Sequence, residues 1–498
     1  MDDDIVRILV STDNHLGFAE RDPVRCDDCF AAFEEVLATA RRKKVDFVLL
    51  AGDMFHENRP SRRTLHNTME LLRKYCLGED PVYTAILNDQ KEIFKSSFGR
   101  VNYEDPYQSV CLPVFSIHGN HDDPSREGGN GEALAALDLL AVGNLINYFG
   151  KADRVEDIEI TPILIKKGNT NLAIYGLGAI RDERLNRMWN QKKVKFVRLT
   201  EEQGREDFFN IFVLHQNRDY GRGAKNCVHE SMIPEWMDLV IWGNEHECQP
   251  QLTESLVGTY RILQPGSSIA SSYSSTESSQ CPKHMAFFEI KEKKFRMRAI
   301  KYKQVRSFLY KDVSLRDYPH LDSNNVKIEE NIKDLLITKI NEMILEGRTI
   351  ENNTPSNTTD NDNTTTTNSS NTTNLPTTKF QLRDPHKVLI RLRVDHEGFP
   401  SLNQQRFGSY FMNEIANPAD IILFIKKRKE IIHFNSNNEK KIKNSAHEDF
   451  QKILAEGEDD QMSKIKIEDL VNETLASSNH TLSLLAETEM AQVGTVVY

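Results

Sequence analysis

The sequence is poor in cysteine and has no long apolar run. Its 7 cysteines, an odd number among 498 residues, are too few and too scattered for a disulfide framework, so we expect reduced thiols. No uninterrupted apolar run approaches the roughly 18 residues of a membrane span, and no charged and then apolar leader opens the chain. These absences argue against secretion and membrane insertion, and they predict a protein that works inside the cell.

The chain also lacks the basic excess of proteins that bind nucleic acid over their whole surface. Lys and Arg number 63 against 74 Asp and Glu, which gives a formal net charge of −11. Any contact with a polyanion must therefore come from local clusters of basic side chains. A hydrophobic content of 39% over this length predicts a sizeable core and two to four folding units.

What the sequence does contain is a set of five short polar segments, each just after a strongly apolar run. The runs are rich in β-branched or aromatic residues and do not alternate, which predicts strands buried on both faces. Run and segment pair as follows: 5–10 with Asp13 to His15, 45–50 with Gly52 and Asp53, 114–117 with Gly119 to Asp122, 211–214 with His215, and 239–242 with Gly243 to His246. Since ligands gather beyond the carboxyl ends of strands in α/β sheets, we expect these side chains to meet in space.

The residue types in these segments predict a metal centre. Carboxylate, imidazole and amide oxygen together suit Mn²⁺, Zn²⁺ or Fe²⁺ better than Ca²⁺. Two such cations roughly 3.5 to 4 Å apart can clamp a phosphate and activate the attacking water. A single pair such as Asp13 and His15 is more often an ordinary polar loop, and Gly119 to Asp122 could be a simple turn. All five segments together favour a two-metal phosphoesterase.

These segments resemble the calcineurin-like metallophosphoesterase superfamily. Within it, residues 8–268 are similar to the family of meiotic recombination nucleases that form the nuclease subunit of the MRN DNA-break-repair complex. The tracts that carry the similarity are Ser11 to Gly17, Gly52 to Pro60, Phe115 to Pro124, Leu214 to Arg218 and Gln264 to Ser268. The resemblance implies an α/β fold, in which a metallophosphoesterase β-sandwich flanked by helices is followed by a smaller α+β capping domain and a C-terminal helical partner-binding segment.

The resemblance also implies a role for each residue of the metal centre. The ligands of the first metal would be Asp13, His15, Asp53 and His246. The ligands of the second would be Asp53, which bridges the two metals, Asn120 and His215. His121 matches the family's catalytic histidine, which is not a ligand and helps the leaving oxygen depart as a general acid. The implied cofactor is a pair of Mn²⁺ ions, and other divalent metals are alternatives.

One position departs from the family pattern. The family's last motif reads Gly-His-Glu-His-Glu, whereas residues 243–247 of this chain read Gly-Asn-Glu-His-Glu. Asn244 thus replaces a histidine ligand of the second metal, and an amide oxygen is a weaker donor than imidazole for Mn²⁺. We therefore expect loosened binding of the second metal and reduced or abolished nuclease activity in this chain.

Contacts with DNA are expected near the metal motifs and in one basic stretch. His56 is close enough to the centre in the motif to touch substrate. Arg59 and Arg62, just after the Gly-Asp motif, and Lys192 and Lys193, in a loop-like stretch, could neutralise backbone phosphates without reading bases. The alternative for each basic cluster is an ordinary solvated face.

The sequence divides into three predicted regions. Residues 1–302 form a metallophosphoesterase nuclease domain, 303–440 a DNA-capping domain, and 441–498 a helical segment that resembles the one that docks onto an ABC-type coiled-coil ATPase. Residues 78–107 resemble the insertion that binds nibrin, and their alternative is a surface loop. Residues 352–378 are almost wholly Asn and Thr, which predicts a disordered excursion.

Periodicity predicts three helices and one hairpin in the first region. Apolar residues at helical spacing indicate helices at 27–42, 62–77 and 132–141. The alternating run 284–302 indicates a β-hairpin that turns near Glu292. Core packing is the default for such helices. In the resembled family the last two pair with their copies as a four-helix bundle, which implies a homodimer.

The resemblance implies a manganese-dependent DNA nuclease in the nucleus, with 3′–5′ exonuclease and single-strand endonuclease activities. It would process DNA ends in double-strand-break repair, homologous recombination, meiosis and telomere maintenance. Two alternatives stay open. One is a catalytically impaired scaffold that binds DNA ends, made plausible by Asn244. The other is a metallophosphatase acting on phosphoproteins or small phosphoesters, although 52–59 lack the Gly-Asp-x-x-Asp-Arg-Gly pattern typical of Ser/Thr phosphatases.

Overall fold

The structure is a computed structural model that describes most of the chain up to residue 426. The described residues are 4–94, 98–126, 133–152, 154–201, 204, 207–223, 225–279, 281–352 and 377–426. They all belong to the first of two units into which the chain divides, residues 1–441. The predicted partner-binding segment at 441–498 and nearly all of the predicted Asn/Thr excursion at 352–378 lie outside the described residues.

The described residues form strands and helices with the following bounds. The strands are β1 (Val6–Ser11), β2 (Phe47–Ala51), β3 (Ala85–Ile86), β4 (Val114–Ile117), β5 (Ser125–Arg126), β6 (Ala133–Leu134), β7 (Asn147–Tyr148), β8 (Ile158–Ile160), β9 (Ile163–Lys167), β10 (Thr170–Leu177), β11 (Val194–Phe196), β12 (Phe208–His215), β13 (Leu239–Gly243), β14 (Gln249–Glu254), β15 (Arg261–Gln264), β16 (His284–Lys291), β17 (Lys294–Lys301), β18 (Phe308–Ser314), β19 (Leu389–Asp395) and β20 (Ile422–Ile425). The α-helices are α1 (Asp28–Lys43), α2 (Arg62–Cys76), α3 (Gln90–Ile93), α4 (Ala136–Val142), α5 (Asp182–Asn190), α6 (Ile328–Asn352) and α7 (Gln404–Gly408).

Two mixed sheets form the centre of the fold. The first has the strand order β17-β16-β1-β2-β4-β7, and the second has the order β14-β15-β13-β12-β10-β9-β3. In the first sheet β1, β2 and β4 run parallel, and in the second β10, β12, β13 and β15 run parallel. The carboxyl ends of the parallel strands within each sheet therefore lie at one edge.

The two sheets pack face to face, and each is covered by helices on its other face. Ile8 of β1 lies in the core between the sheets together with Ile211 of β12, whereas Leu9 of β1 lies in the core under α1 and α2. Leu214 of β12 belongs to a third core, which includes Leu185 of α5. Apolar side chains on both faces of a strand are buried, which is why the strand sequences do not alternate. The predicted α/β sandwich flanked by helices is confirmed.

The hairpin predicted at 284–302 and the helix predicted at 132–141 differ in how well they match the structure. The hairpin of β16 and β17 is present, and Glu292 in its turn adopts a left-handed φ of +52°. The helix predicted at 132–141 is wrong at its start, because Leu134 lies in the short strand β6 and is exposed. The helix α4 begins only at Ala136, and Leu137 and Leu140 are buried as expected.

The chain after β17 forms a smaller α+β unit. Strands β18, β19 and β20 make a parallel three-stranded sheet. On α6, the side chains of Ile332, Leu336, Ile340 and Met343 are fully buried against this sheet. Their spacing of four, four and three residues places them on one helical stripe. Within the described residues, no helix combines the length and the apolar character needed to span a bilayer.

A buried ion pair joins this smaller unit to the sandwich. Arg306 donates from Nε to Asp28 Oδ2 at 2.8 Å and from Nη2 to Asp28 Oδ1 at 3.1 Å. Its Nη1 also donates to the backbone carbonyls of Asp384 and Lys387 at 2.9 and 3.1 Å. Burial raises the pKa of Asp28, and the guanidinium of Arg306 opposes that shift. The pair therefore provides a buried carboxylate with a charged, bidentate hydrogen-bond partner.

Replacing Arg306 by methionine should strongly destabilise the protein. Asp28 would be left buried without its bidentate partner, a change that costs about 3 to 5 kcal/mol of unfolding free energy. Lys311→Met is the control, because the pair of Lys311 and Glu346 is exposed and contributes about 1 kcal/mol or less. Urea unfolding of both variants measures the difference, and equal losses would contradict the assigned role.

Candidate metal centre

The five polar segments of the sequence converge at the carboxyl ends of five strands. Asp13 follows β1, Asp53 follows β2, and Asn120 follows β4, all in the first sheet. His215 ends β12 and His246 follows β13, both in the second sheet. The site therefore draws its side chains from both sheets, at the edge where the parallel strands end.

The loops after β1 and β2 run side by side and hold each other through backbone hydrogen bonds. The amide of Asp13 donates to the carbonyl of Gly52 and the amide of His15 to the carbonyl of Asp53, both at 3.1 Å. A further bridge joins Leu16 to Phe55. The positions of Asp13, His15 and Asp53 are thus fixed relative to one another by the main chain.

Several site residues adopt a strained backbone. Asp13, His15, Asp53 and Asn244 have φ values of +49°, +45°, +47° and +75°. This left-handed region costs a residue with a side chain about 1 to 2 kcal/mol, and such strain clusters at functional sites. The hydrogen bonds between the loops hold the backbone in this conformation.

Gly52 and Gly119, which precede Asp53 and Asn120, permit close contact between loops. Gly52 has a φ of +97°, and a Cβ atom there would clash with the ring of His215. A Cβ on Gly119 would clash with the carboxylate of Asp53. The glycines in the Gly-Asp and Gly-Asn-His-Asp segments are therefore required by packing at the site.

Asp122 ties two of the segments together, a role that the sequence did not reveal. Its carboxylate is buried and accepts from the backbone amides of Met54 at 2.8 Å, Phe55 at 3.1 Å and Gly119 at 2.6 Å. Burial and the neighbouring Asp53 raise the pKa of Asp122, and the amides of Gly119 and Phe55 oppose this shift. The motif placed Asp122 next to the site, but only the fold shows what it binds.

A first group of donor atoms consists of Asp13, His15 and His246. The two imidazoles face each other, with 3.2 Å between His15 Nε2 and His246 Nε2. Asp13 Oδ1 lies 3.9 Å from His15 Nε2 and 3.6 Å from His246 Nε2. Separations of this size suit ligand atoms that surround one cation at about 2.0 to 2.2 Å each.

A second group of donor atoms adjoins the first. His215 Nε2 lies 3.3 Å from Asp53 Oδ2 and 3.1 Å from Asn120 Oδ1. Asp53 Oδ2 is also 3.9 Å from His15 Nε2, so this oxygen stands between the two groups. Asp53 could therefore contact a cation in either position.

The other nitrogen of two of these imidazoles is held by a hydrogen bond. His215 Nδ1 lies 2.8 Å from the carbonyl of Ala51, and His246 Nδ1 lies 2.8 Å from the hydroxyl of Ser271. Such contacts orient an imidazole so that its Nε2 is available to a metal. Ser271 sits in a serine-rich stretch without a recognisable motif, so the sequence offered no signal for it.

The electrostatics of the site are dominated by burial and by contacts between acids and imidazoles. Burial favours the neutral form of Asp53, yet the charge of His215 and its hydrogen bond to Asp53 outweigh burial and hold the pKa of Asp53 below its ordinary value. Burial lowers the pKa of His215, but Asp53 and Asp13 raise it to about 10. Burial holds the pKa of His15 well below 6.5, which leaves the neutral imidazole that metals bind.

The carboxylate of Asp13 provides a test of whether a cation fits. Its Oδ2 accepts from Thr12 Oγ1 at 2.6 Å and from the amide of Asn244 at 3.1 Å. Its Oδ1 is buried and has no hydrogen-bond donor among the described residues. A buried carboxylate oxygen without a donor, bordered by imidazole nitrogens, is what a site for a divalent cation requires. The residues present therefore fit a metal centre.

The side chain of Asn244 is engaged by a neighbour and not by the donor groups. Its Nδ2 donates to Asn217 Oδ1 at 2.8 Å. Asn217 in turn donates to Asp182 Oδ2 at 2.7 Å, and its Oδ1 accepts from Arg222. These contacts fix the orientation of both amides, so Asn244 presents its nitrogen to Asn217 and keeps its oxygen for other partners.

The remaining predicted residues are two histidines beside His15 and two pairs of exposed basic residues. His121 stacks on His56 with 5.2 Å between ring centroids, and its Nδ1 lies 2.8 Å from the carbonyl of His56. Both rings contact His15 edge to face. The other predicted basic residues are exposed: Arg59 and Arg62 beside the start of α2, and Lys192 and Lys193 between α5 and β11. No contact among the described residues links the two lysines to the donor groups.

Comparison with known proteins places this geometry in a family. Residues 6–248 match the calcineurin-like phosphoesterase family, and residues 295–494 match the Mre11 DNA-binding presumed domain. The double-strand break repair proteins MRE11 of rat and human are each 39% identical over 496 residues, which is 99% of this chain and 64% and 63% of theirs. The chain belongs to the Mre11 family.

The similarity to Mre11 proteins extends to plants. The Arabidopsis thaliana double-strand break repair protein MRE11 is 41% identical over 434 residues, 86% of this chain and 55% of the plant protein. The chain spans a little under two thirds of the length of the animal relatives and about half of the plant one. Membership of the Mre11 family agrees with the resemblance inferred from the motifs.

Ser271→Ala should weaken metal binding at the first donor group of this Mre11 family member. Without the hydroxyl, the Nδ1 of His246 loses a partner at 2.8 Å, and loss of such an orienting contact typically lowers metal affinity about 10- to 100-fold. Ser275→Ala is the matched control, because Ser275 is exposed. Calorimetric titration with Mn²⁺ measures both, and unchanged affinity in Ser271→Ala would contradict this role.

Metal affinity should rise with pH. In the metal-free site the pKa of His215 is raised to about 10, so this imidazole is protonated at neutral pH and a cation must displace the proton. Below that pKa, the affinity should increase by up to about tenfold per pH unit, with about one proton released per cation bound at this position. Titration of Mn²⁺ in buffers of different ionisation enthalpy counts the protons; an affinity that does not vary between neutral and alkaline pH would refute the expectation.

Proposed function

We propose that this chain is a manganese-dependent DNA nuclease, with 3′–5′ exonuclease and single-strand endonuclease activities, that processes ends in double-strand-break repair. The observation that carries the proposal is the position of Asp53 Oδ2, which lies 3.9 Å from His15 Nε2 and 3.3 Å from His215 Nε2. One carboxylate oxygen between two sets of donors suits a pair of cations that share a phosphate. Membership of the Mre11 family supports DNA as the substrate.

We assign the donor atoms to two Mn²⁺ sites. The first site would use Asp13, His15, Asp53 and His246. The second would use Asp53, Asn120 and His215, with Asn244 at the position where the family has histidine. When bound, the two cations would neutralise the charge of the scissile phosphate and activate the attacking water.

We assign proton transfer to His121. Its Nδ1 is held by the carbonyl of His56, which leaves Nε2 as the nitrogen that can face substrate. A proton on Nε2 could pass to the leaving oxygen of the phosphodiester, which is a general-acid role. His56, stacked on His121, would keep the ring in place and border the substrate.

The basic residues beside the site would bind the DNA backbone. Arg59 and Arg62 are exposed where the Gly-Asp segment leads into α2. Exposed guanidinium groups at such a place can neutralise phosphates and set the duplex in register. Lys192 and Lys193, exposed after α5, would contribute farther along the strand.

Asn244 should weaken the second site without abolishing it. The contact from its Nδ2 to Asn217 leaves the amide oxygen available, and an oxygen donor holds Mn²⁺ less tightly than imidazole. We therefore propose a nuclease with reduced activity at low Mn²⁺. The competing function is a scaffold that binds DNA ends without cutting them, which the same substitution favours.

Exposed apolar side chains support partners for this chain. In the insertion at 78–107, Tyr83, Leu87 and Phe98 are 70%, 49% and 48% exposed, which suits a surface for nibrin. On α4, Leu139 is 57% exposed, which suits pairing with a second copy in a homodimer. We also propose that residues 441–498 bind an ABC-type coiled-coil ATPase and that the protein is located in the nucleus. Family membership is the support for both.

Asn244→His should raise nuclease activity on end-labelled DNA. A restored imidazole should tighten the second Mn²⁺ by about tenfold, because ligand softness and geometry set the affinity. Asn169→His is the matched control, since Asn169 is an exposed residue in the turn between β9 and β10. Asp53→Asn is the inactive reference.

The same proteins should be incubated with a chromogenic phosphomonoester in Mn²⁺. Cleavage of DNA but not of the phosphomonoester supports the nuclease, and the reverse supports a phosphatase. DNA-end binding without cleavage, in both the parent chain and Asn244→His, would establish the scaffold and overturn the proposal. Equal nuclease rates in the two would show that Asn244 is harmless.

A further inference from the structure

A second cluster of metal-binding residue types lies outside the donor groups of the candidate metal centre. It sits in the connection between β12 and β13 and consists of Asp219, Cys227 and His229. One ligand atom from each side chain lies within 4.8 Å of the others. None of the proposed nuclease functions uses these three residues.

The distance between the sulfur and imidazole donors of this cluster is close to that around a bound transition metal. Cys227 Sγ lies 3.9 Å from His229 Nε2. A tetrahedral zinc ion with bonds of about 2.3 Å to sulfur and 2.0 Å to nitrogen would set these two atoms about 3.5 Å apart. Asp219 Oδ2 lies 3.1 Å from His229 Nδ1, which is the other ring nitrogen from the one that faces Cys227. The carboxylate of Asp219 must therefore rotate to reach a metal held on Nε2, and its side chain, which is 54% exposed, has room to do so.

The surroundings attract a cation and argue against a reactive thiol. Cys227 is buried, and burial together with the charges of Asp219 and Asp182 raises its pKa to about 11. Such a thiol is protonated at neutral pH and is a poor nucleophile. Asp182 adds to the negative field, since its Oδ1 is buried without a hydrogen-bond donor among the described residues. A divalent cation would replace the thiol proton and compensate these carboxylates.

We propose that Asp219, Cys227 and His229 bind one zinc ion, with water in the fourth position. Thiolate and imidazole together select zinc over manganese, magnesium or calcium. The site differs in kind from the candidate metal centre, whose donor groups contain no sulfur.

The proposed zinc would brace the loop that supports Asn244. Val228, between two of the ligands, donates its amide to the carbonyl of Asn217 at 2.9 Å, and Arg218 forms a bridge to Val228. Asn217 accepts from the side chain of Asn244. A metal at Cys227 and His229 would thus fix the backbone that positions the Asn217 and Asn244 contact.

Cobalt substitution of the full chain tests the proposal. Co²⁺ bound by a thiolate gives an intense near-ultraviolet charge-transfer band, whereas Co²⁺ bound by carboxylate and imidazole does not. We expect the metal-free protein to develop this band when Co²⁺ is added, to reach a plateau intensity that corresponds to one Co²⁺–thiolate bond per chain, and to lose the band when Zn²⁺ is added. Filling of the candidate metal centre by Co²⁺ does not affect this readout, so the test is independent of the nuclease proposal.

Variants and a matched control complete the test. Cys227→Ser and His229→Gln should abolish the band, and Asp219→Asn should weaken Co²⁺ binding about tenfold or more. Cys281→Ser, at a cysteine outside the cluster, should keep the band. Asp219 is exposed, so Asp219→Asn should fold normally and keeps the test valid if the variant at buried Cys227 does not fold. Circular dichroism reports the fold of each variant. No band in the parent chain, or a band that survives Cys227→Ser, would overturn the proposal and leave an ordinary hydrogen-bonded cluster.

Discussion

Two buried carboxylates at the shared edge of two sheets are the constraint on which the rest of the site depends. Asp13 and Asp53 are 0% and 1% exposed, and both lie within 4.0 Å of His215 Nε2. Burying charge without a partner is costly, and removing two carboxylates from water multiplies that cost. The imidazole of His215 compensates only part of it, because Asp13 Oδ1 still has no donor among the described residues. The fold therefore concentrates negative charge at a point where divalent cations restore the balance.

The backbone around these carboxylates is held in a conformation that it would not adopt alone. Asp13, His15 and Asp53 have left-handed φ values, and each such residue costs about 1 to 2 kcal/mol. The strain persists because the loops cannot relax independently. The backbone bonds between the loops after β1 and β2, and the hydrogen bonds that Asp122 accepts from three amides, connect the segments after β1, β2 and β4 to one another. Rigid sheets with cores on both faces thus provide the pre-organisation that a metal site needs.

On the second sheet, one predicted ligand position is held by a hydrogen-bond network. The amide of Asn244 joins Asn217, Arg222 and Asp182 behind the site. The same loop carries Cys227 and His229. Changes in one part of such a network alter the geometry of the rest, because each amide has only one orientation that satisfies its neighbours. The orientation of Asn244 in this member of the Mre11 family therefore depends on the loop between β12 and β13.

Local pattern determined the strands, the hairpin and the types of donor residue. The apolar runs before Asp13, Asp53 and His215 are buried on both faces and therefore cannot alternate, so they could be recognised from the sequence. The start of α4 was misjudged, because a helical spacing does not show where a β-bridge competes for the same residues. Only the tertiary structure decided which strands belong to which sheet and that Ser271 orients His246. These features join residues far apart in the chain, such as His15 and His246, which are 231 positions apart, and no local pattern encodes such a contact.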